Sequence, residues 1–189
     1  KGDYMQLETK RLIIREFTMA DMEDVHRYAS DPAVTEHTMW GPNTEEDTLQ
    51  YLHMVIQYSE QTPRNNYELA ITLKDGGVLI GGCGIYRMDT NAEMGYCLNR
   101  DHWRQGYASE AAEAICRFGF ETLGVHRIYA TCRPGNAGSA GVLRRIGMTK
   151  EGHLRQHLWF KGRFHDSYLF SILRDELDRS NTEVRSDER

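Results

Sequence analysis

Trp103-Arg104-Gln105-Gly106-Tyr107-Ala108-Ser109-Glu110 is the stretch that decides the fold of this 189-residue chain. It follows an alternating segment, Ala92 to Asn99, and opens a run with helical spacing from about Gly106 to Leu123. A helix N-terminus presents unpaired amides and a partial positive charge, and it therefore suits a phosphate group. Gly106 lets a ligand approach the backbone closely, and Arg104 adds a cation. The stretch therefore predicts an anion cradle.

The glycine pattern of this stretch differs from two common phosphate-binding motifs. It is not GxGxxG, which disfavours a dinucleotide-binding fold, and it is not GxxxxGK[ST], which disfavours a nucleoside triphosphatase. On this stretch alone, an ordinary strand-to-helix turn stays open as the alternative.

Outward from this stretch, periodicity and turn residues predict a mixed order of helices and strands. The order is β-α-α-β-β-β-α-β-α-β-β, which is a mixed α/β (α+β) arrangement rather than the regular alternation of a doubly wound sheet. Thr18 and Thr44 are the candidate N-caps of the first two helices. The predicted strands cover about 11–15, 67–73, 78–86, 92–99, 127–132, 153–160 and 164–173, and the predicted helices about 18–30, 44–60, 106–123 and 136–146.

Composition is that of an ordinary globular chain, with 40% hydrophobic and 27% charged residues. A net charge of −5 disfavours a nucleic-acid partner. No signal peptide and no apolar stretch of about 20 residues is visible, so we expect no membrane partner. The four cysteines form no CxxC pair, and we expect reduced, buried thiols of a cytoplasmic protein rather than a catalytic nucleophile.

The length suits a single domain, which we expect to cover residues 5–174. Lys1 to Tyr4 precede Met5, which we expect to be the natural start of the protein. Residues 175–189 are almost wholly polar, and we expect them to form a C-terminal tail.

Four separated blocks of the chain together resemble the GNAT superfamily of N-acetyltransferases. Within that superfamily, the pattern is similar to the branch of ribosomal-protein N-terminal alanine acetyltransferases and related small-amine acetyltransferases, over nearly the full chain. Each block alone is unspecific, but jointly they are highly specific. The blocks are Glu8 to Leu12, Glu93 to Ala111, Asn136 to Met148 and Gly162 to Asp166.

The resemblance implies the GNAT fold, a mixed and strongly twisted sheet of about seven strands with about four helices. Two central strands would splay apart, and acetyl-CoA, the acyl donor, would lie in the V-shaped gap between them. Its pantetheine would pair with the backbone of Cys97, Leu98 and Asn99. Its pyrophosphate would bind the amides of Arg104, Gln105, Gly106, Tyr107, Ala108 and Ser109.

Two residues outside the cradle are implied to contact the same ligand. Asn136 would bind acetyl-CoA directly, and Arg145 is a weaker candidate for its phosphates. Many members carry Gln or Arg three residues before the key glycine, where this chain has Trp103. The phosphates would therefore depend on backbone amides and on Arg104.

Acetyl transfer to an amine requires a group that accepts a proton. Amines have pKa values of about 8–10, so a proton must leave before or during attack, to a carboxylate or to water. We predict Glu93 as the base, because it shares a strand face with Gly95 and Cys97. A solvated or ion-paired glutamate is the structural alternative. A backbone amide near Cys97 would stabilise the charge that grows on the carbonyl oxygen.

The departing thiolate requires much less help, because a thiol pKa near ~8.5 makes it a tolerable leaving group. Relatives often carry tyrosine seven residues after the asparagine as a proton donor, but this chain has Leu143 there. Ser139 is therefore the remaining candidate for the general acid, and water is the alternative proton donor. A serine that only bonds the first turn of its helix is the structural alternative.

Two further features carry weaker predictions. Residues 36–43 join the first two predicted helices and form the predicted wall of the acceptor site. His153 and His157 have the spacing of two metal ligands on a helix, but they lie in a predicted strand. We expect them to be exposed histidines and expect no metal site.

The predicted function is an acetyl-CoA-dependent N-acetyltransferase, with direct attack of a primary amine on the thioester in a ternary complex. The acceptor stays open between a protein N-terminus, a polyamine, an amino sugar and a small metabolite. A sensor that binds acyl-CoA without turnover is the alternative, because Leu143 removes a proton donor. The sequence leaves both a monomer and a homodimer open.

Overall fold

The computed structural model describes residues 5–177, so Lys1 to Tyr4 and residues 178–189 lie outside the described part. The strands are β1 Gln6–Glu8, β2 Leu12–Glu16, β3 Asn66–Leu73, β4 Leu79–Met88, β5 Asn91–Leu98, β6 Arg127–Cys132, β7 Thr149–Phe160 and β8 Arg163–Leu173. The helices whose bounds lie within the described part are α1 Met22–Ala29, α2 Pro32–Thr35, α3 Glu45–Ser59, α4 Tyr107–Glu121 and α5 Ala137–Arg145, with short 3-10 turns at Met19–Asp21 and Arg100–His102. Residues 174–177 are also helical.

The strands form one sheet in the order β1-β2-β3-β4-β5-β6-β8-β7. Neighbouring strands are antiparallel except β5 and β6, which are parallel and joined through α4. This is the mixed α/β fold expected from the sequence. The sheet has eight strands rather than about seven, because the short edge strand β1 pairs with β2.

The two short elements that the sequence did not predict have local causes. Strand β1 has three residues, which are too few to show a period-two pattern. Asp31-Pro32 predicts a helix end, and α1 does end at Ala29, but α2 starts at Pro32. The Asp31 carboxylate accepts the Ala33 N–H at 2.9 Å, and proline fits the first turn of a helix.

The helices lie on both faces of the sheet. Ala92, Met94 and Leu98 of β5 belong to the main core, in which α4 contributes residues such as Ala111 and Ile115. We call this side the α4 face. A second core on the opposite side contains residues from α1 and α3, and we call that side the α1 face. Cys97 packs against this second core, so the odd-numbered residues of β5 point to the α1 face.

Core residues extend past the predicted domain boundary at Arg174. The Arg174 guanidinium donates to the carbonyls of Phe120 and Val125, both at 2.9 Å. Leu177 is 4% exposed and belongs to the main core. Within residues 5–177, no helix is long and apolar enough to cross a membrane.

Gly119 of α4 allows the helix to pack closely on the sheet. A Cβ atom there would lie 2.6 Å from Ile85 Cδ1 and 2.8 Å from Ile128 Cδ1. We expect Gly119→Val to lower the free energy of unfolding by about 1–3 kcal/mol through overpacking. The measurement is chemical denaturation. Gly141→Val on α5, where a Cβ meets nothing within 4 Å, is the matched control and should be neutral. Equal losses in both variants would contradict this account.

Candidate functional site

The centre of the sheet contains a gap between β5 and β6. The two strands pair only over three positions, from Asn91 with Arg127 to Glu93 with Tyr129. Beyond Glu93, β5 continues to Leu98 while β6 pairs with β8 alone. The expected splay of two central strands is therefore confirmed, and the V-shaped gap opens toward the C-terminal ends of both strands.

The hydrogen-bonding direction of the β5 backbone alternates along the gap. The Asn99 N–H donates to the Ile80 carbonyl on the β4 side, and the Thr90 carbonyl accepts the His126 N–H on the β6 side. Odd-numbered residues of β5 therefore direct their backbone groups to β4, and even-numbered residues direct theirs to the gap. Tyr96 and Leu98 thus present backbone N–H groups to the gap.

This alternation changes the prediction for residues 97–99. Leu98 faces the gap as expected, but its carbonyl already accepts the Trp103 indole N–H at 2.9 Å. The backbone of Cys97 and the N–H of Asn99 face β4 instead, because they continue the β4–β5 ladder. The backbone groups of β5 that can bond a ligand in the gap are therefore those of Tyr96 and the N–H of Leu98.

The predicted anion cradle lies at the start of α4. Arg104 has φ 59° and Gly106, the N-cap, has φ 81°, so the chain turns sharply into the helix. The first bond that returns to the loop runs from the Glu110 N–H to the Gly106 carbonyl at 3.1 Å. The amides of Tyr107, Ala108 and Ser109 precede it and point out of the helix end. This geometry fits a phosphate group.

The N-terminus of α5 lies at the other side of the gap. The Asn136 side chain accepts the Ser139 N–H at 3.0 Å and caps the helix. The Tyr96 hydroxyl lies 3.1 Å from both the Ser139 carbonyl and Ser139 Oγ. Burial raises the pKa of Tyr96, and the bond to Ser139 partly offsets this rise. Leu143, by contrast, is 1% exposed and belongs to the core.

Glu93 lies at the closed end of the gap, on the α1 face. It is half-buried, and the Tyr129 hydroxyl lies 3.5 Å from its Oε2. Glu93 is also the last β5 residue that pairs with β6. The predicted base is therefore next to the point at which the two strands separate.

Comparison with known proteins agrees with this geometry. Residues 11–149 match the acetyltransferase (GNAT) domain. The chain is 35% identical over 174 residues to the uncharacterized N-acetyltransferase YnaD of Bacillus subtilis, covering 91% of this chain and 99% of that protein. The crystal structure of a GNAT-family acetyltransferase from Bacillus anthracis has TM-score 0.81 and 33% identity, covering 91% of this chain and all of that one (100%).

The chain belongs to the GNAT acetyltransferase family. It is an acetyltransferase, and acetyl-CoA is the acyl donor of this family. A shorter match relates it to the ribosomal protein uS5-alanine N-acetyltransferase of Escherichia coli, at 32% identity over 79 residues, 42% of this chain and 41% of that protein.

In this GNAT chain, Thr9 and Arg11 hold the cradle in place, and we call these two residues the N-terminal clamp. Thr9 Oγ1 and the Arg11 N–H donate to Glu110 Oε1 at 2.6 and 2.7 Å, and Arg11 Nε donates to Oε2 at 2.7 Å. Arg11 Nη1 also donates to the Gln105 carbonyl at 2.9 Å, and its guanidinium lies over the Tyr107 ring. Burial would raise the pKa of Glu110, but these hydrogen bonds outweigh it and lower that pKa. The clamp therefore holds the Glu110 carboxylate beside the cradle, with its charge neutralised by the Arg11 guanidinium.

Glu68 is the acidic residue of the site that the sequence did not reveal. It lies on β3, in register with Gly84 and then Gly95, so one row crosses three strands on the α1 face. A Cβ atom on Gly84 would lie 2.7 Å from Glu68 Oε1, whereas one on Gly95 would meet nothing within 4 Å. The Glu68 carboxylate therefore lies over Gly84, with open space across the next strand, beside the gap.

The surroundings of Glu68 change its acidity. Burial raises its pKa to about 7, and the hydrogen bond from the Tyr51 hydroxyl at 3.2 Å partly offsets the rise. The ionised form of Glu68 in turn raises the pKa of neighbouring acids. Burial first and the Glu68 charge second raise the pKa of Cys97 to about 12. Cys97 is therefore protonated at neutral pH, as expected for a thiol that is not a nucleophile.

The segment predicted as an acceptor wall borders the same side. Lys161, at the tip of the β7–β8 hairpin, donates to the Thr35 carbonyl at 2.5 Å. A Cβ atom on Gly135 would lie 3.3 Å from the His37 ring, which places this segment beside the loop that leads to α5. Trp40 and the hairpin residue Trp159 are 41% and 60% exposed, so neither is a core residue.

The remaining predicted residues lie away from the gap. Arg145 is exposed in the last turn of α5, about 13 Å along the helix from Asn136, and its contact with phosphates stays a prediction. His153 bonds Asp166 at 2.7 Å and His157 bonds Ser167 at 2.8 Å, on the outer strand β7. Within residues 5–177, no group of three His, Cys, Asp or Glu residues is arranged for a metal ion.

The clamp predicts a selective effect on donor binding. Arg11→Met removes the guanidinium bonds to the Gln105 carbonyl and to Glu110 Oε2, and it leaves a carboxylate with less neutralising charge beside the phosphate-binding amides. We expect the Kd for acetyl-CoA to rise about tenfold, a loss of about 1.4 kcal/mol, measured by titration calorimetry. The exposed Arg27→Met is the control and should bind like the parent chain. An unchanged Kd in Arg11→Met would show that the clamp does not position the cradle.

Proposed function

We propose that this GNAT protein is an N-acetyltransferase that holds acetyl-CoA and a primary amine together and transfers the acetyl group directly. The observation that carries the proposal is the continuity of the gap. Its open backbone edge at Tyr96 and Leu98 leads from the amide cradle to the α1 face, where Glu93 and Glu68 lie. The name of YnaD, an N-acetyltransferase, supports the same reaction class.

On the donor side, the amides of residues 104–109 would bind the pyrophosphate, with Arg104 as the added cation. The N–H groups of Tyr96 and Leu98 would pair with pantetheine carbonyls, in the way that a neighbouring strand would. Asn136 would contact the same ligand, since its amide nitrogen is a donor that helix capping leaves unused. Acetyl-CoA supplies the acetyl group as a thioester.

On the acceptor side, Glu93 removes a proton from the amine as the amine nitrogen bonds to the acetyl carbon. A backbone N–H of β5 that faces the gap donates to the carbonyl oxygen while its charge grows. The carbon–sulfur bond breaks, and the proton for the departing sulfur comes from Ser139, with Tyr96 as its hydrogen-bonded neighbour, or from water. The products are an N-acetylated amine and CoA; Glu93 returns its proton to solvent, and Ser139, where it is the donor, regains a proton from solvent.

Glu68 is a second candidate for the base. Its raised pKa lies nearer to neutrality than that of an ordinary carboxyl group, which suits general-base catalysis. It lies in the row of Gly95, which is beside the gap. Glu93 and Glu68 therefore border the same open space from two directions.

Localisation and assembly belong to the same proposal. The four cysteines are free, and we place the protein in the cytoplasm, where thiols stay reduced. The acceptor is a protein N-terminus or a small-molecule amine, and the protein acts as a monomer or homodimer.

Thiol release from acetyl-CoA across a panel of amines tests the function. We expect release to depend on an amine, to saturate with its concentration and to yield an N-acetyl product by mass spectrometry. Leu143 supports one rival, a sensor that binds acyl-CoA without turnover, because a proton donor is absent there. Tight acetyl-CoA binding with no release on any amine would favour the sensor and contradict the transferase.

Two carboxamide variants decide between the bases. If Glu93 is the base, Glu93→Gln lowers kcat by about 10²- to 10⁴-fold, most at low pH, and leaves acetyl-CoA affinity nearly unchanged. If Glu68 is the base, the parent kcat rises as pH increases through about 7, because only the ionised carboxylate accepts a proton, and Glu68→Gln removes that rise. The exposed Glu121→Gln is the control for both.

Stability gives an independent measurement for Glu68. Its folded pKa is raised above the unfolded value of 4.5, so the folded state binds this proton more tightly. The stability it contributes is present at low pH and declines as pH rises from about 4.5 to about 7. Glu68→Gln should therefore stabilise the fold more at pH 8 than at pH 5, whichever residue is the base.

In the kinetic test, parent-like kinetics in both Glu93→Gln and Glu68→Gln would reject both candidate bases.

A further inference from the structure

Arg133 has a buried donor without a partner. It directly follows β6 and is 8% exposed. Its Nη2 donates to Thr131 Oγ1 at 3.0 Å, whereas Nη1 is buried and has no hydrogen-bond partner among residues 5–177. A buried, unpaired donor on a charged group is costly, and native structures rarely keep one without a reason.

The guanidinium lies on the acceptor side of the sheet. Ile128, Ala130 and Cys132 point into the main core, so the alternate residues of β6 point to the α1 face. The bond to Thr131 places Arg133 on that same face. Two residues before Thr131, the hydroxyl of Tyr129 contacts Glu93, the predicted base.

Glu93 and Arg133 influence each other without forming an ion pair. Burial lowers the pKa of Arg133, while the nearby Cys132 and Glu93 groups act in the opposite direction. Within the described chain, no carboxylate lies within ion-pair distance of the Arg133 guanidinium. The Glu93 carboxylate and the Arg133 guanidinium therefore border one region. Glu93 can accept further hydrogen bonds there, and Arg133 can donate one from Nη1.

We propose that Arg133 is a specificity-determining residue whose Nη1 donates to an oxygen on the carbon that is bonded to the amine-bearing carbon of the acceptor. The favoured acceptors are then α-amino-acyl compounds, namely amino acids, amino-acid amides or the N-terminus of a peptide. This inference rests on the proposed function and names the substrate class of that same site.

The charges of the two residues explain the preference. An α-amino-acyl group carries its amine and its oxygen on adjacent carbons, so it can meet Glu93 with one end and Arg133 with the other. A charge-assisted hydrogen bond to the oxygen would satisfy Nη1. A polyamine offers only cations, and a buried guanidinium repels a second cation placed beside it.

The test compares acceptors that differ in the oxygen. L-Alaninamide has a carboxamide oxygen, L-alanine has a carboxylate, isopropylamine replaces the acyl group by methyl, and spermidine is a polycation. We expect the parent chain to use an alanine derivative best, and the ratio of L-alaninamide to L-alanine distinguishes a peptide end from a free amino acid. Arg133→Met should lower kcat/KM for alanine derivatives at least tenfold, mostly through KM. It should leave isopropylamine turnover and acetyl-CoA affinity unchanged.

Two further variants complete the comparison. Arg133→Lys keeps the charge with a different reach and should retain part of the preference. Arg117→Met on the outer side of α4 is the control and should behave like the parent. The melting temperature of Arg133→Met should not fall, because an apolar side chain replaces a buried charge that lacks a full set of partners.

Several results would overturn the inference. An equal loss on isopropylamine and L-alaninamide would indicate a general role, and weaker acetyl-CoA binding would indicate that Nη1 serves the donor. Spermidine as the best acceptor would reject the substrate class. If no amine is acetylated, the proposed function fails instead. Calorimetric binding of N-acetyl-L-alaninamide with CoA present then tests Arg133 alone: an Arg133-dependent Kd supports the contact, and equal binding in Arg133→Met rejects it.

Discussion

The separation of β5 from β6 after the pair Glu93–Tyr129 is the constraint on which the rest of the site depends. A parallel pair must be joined by a crossover, here α4, so both strands end at the same edge of the sheet. The helices that follow them, α4 and α5, therefore begin at that edge. The open backbone edge of β5, the amide cradle and the capped end of α5 meet at one place for this reason.

Contacts across the gap keep its two sides in a fixed relation. Tyr96 extends from β5 to Ser139 on α5, and Trp103 fastens the cradle loop to the Leu98 carbonyl. The N-terminal clamp holds the same loop from the residues just before β2, because Arg11 donates to the Gln105 carbonyl. Strands β5 and β6 therefore share few backbone hydrogen bonds. Side chains from distant elements connect the two sides of the gap instead.

The sequence predicted the elements of this fold better than their contacts. Alternation in β5 and the capping residues Thr44 and Asn136 are local signals, and the structure has both helices where those caps place them. The direction of the β5 backbone is not a local signal. It depends on how Asn99 bonds to β4, and this is why Tyr96, rather than Cys97, presents its amide to the gap. The family resemblance identifies the family's motifs in the sequence, but it does not reveal which β5 residues direct their backbone groups to β4.

Residues that act through long-range contacts were missed for the same reason. Arg11 and Glu110 meet across 99 positions of sequence, and Glu68 reaches the site only because β3, β4 and β5 align it with Gly84 and Gly95. Arg133 has the appearance of an ordinary loop residue before a Pro-Gly turn. Its unpaired nitrogen becomes visible only when the packing around it is known.

The arrangement of these groups favours direct transfer over an acyl-enzyme. A covalent route needs a nucleophile beside the gap, and Cys97 is the cysteine on the α1 face that is not fully buried. Its pKa of about 12 keeps it protonated at neutral pH, and its raised value depends in part on the charge of Glu68. The Glu68 charge therefore adds to burial in keeping the neighbouring thiol from acting as a nucleophile. This is consistent with the proposed reaction, in which the amine attacks the thioester itself.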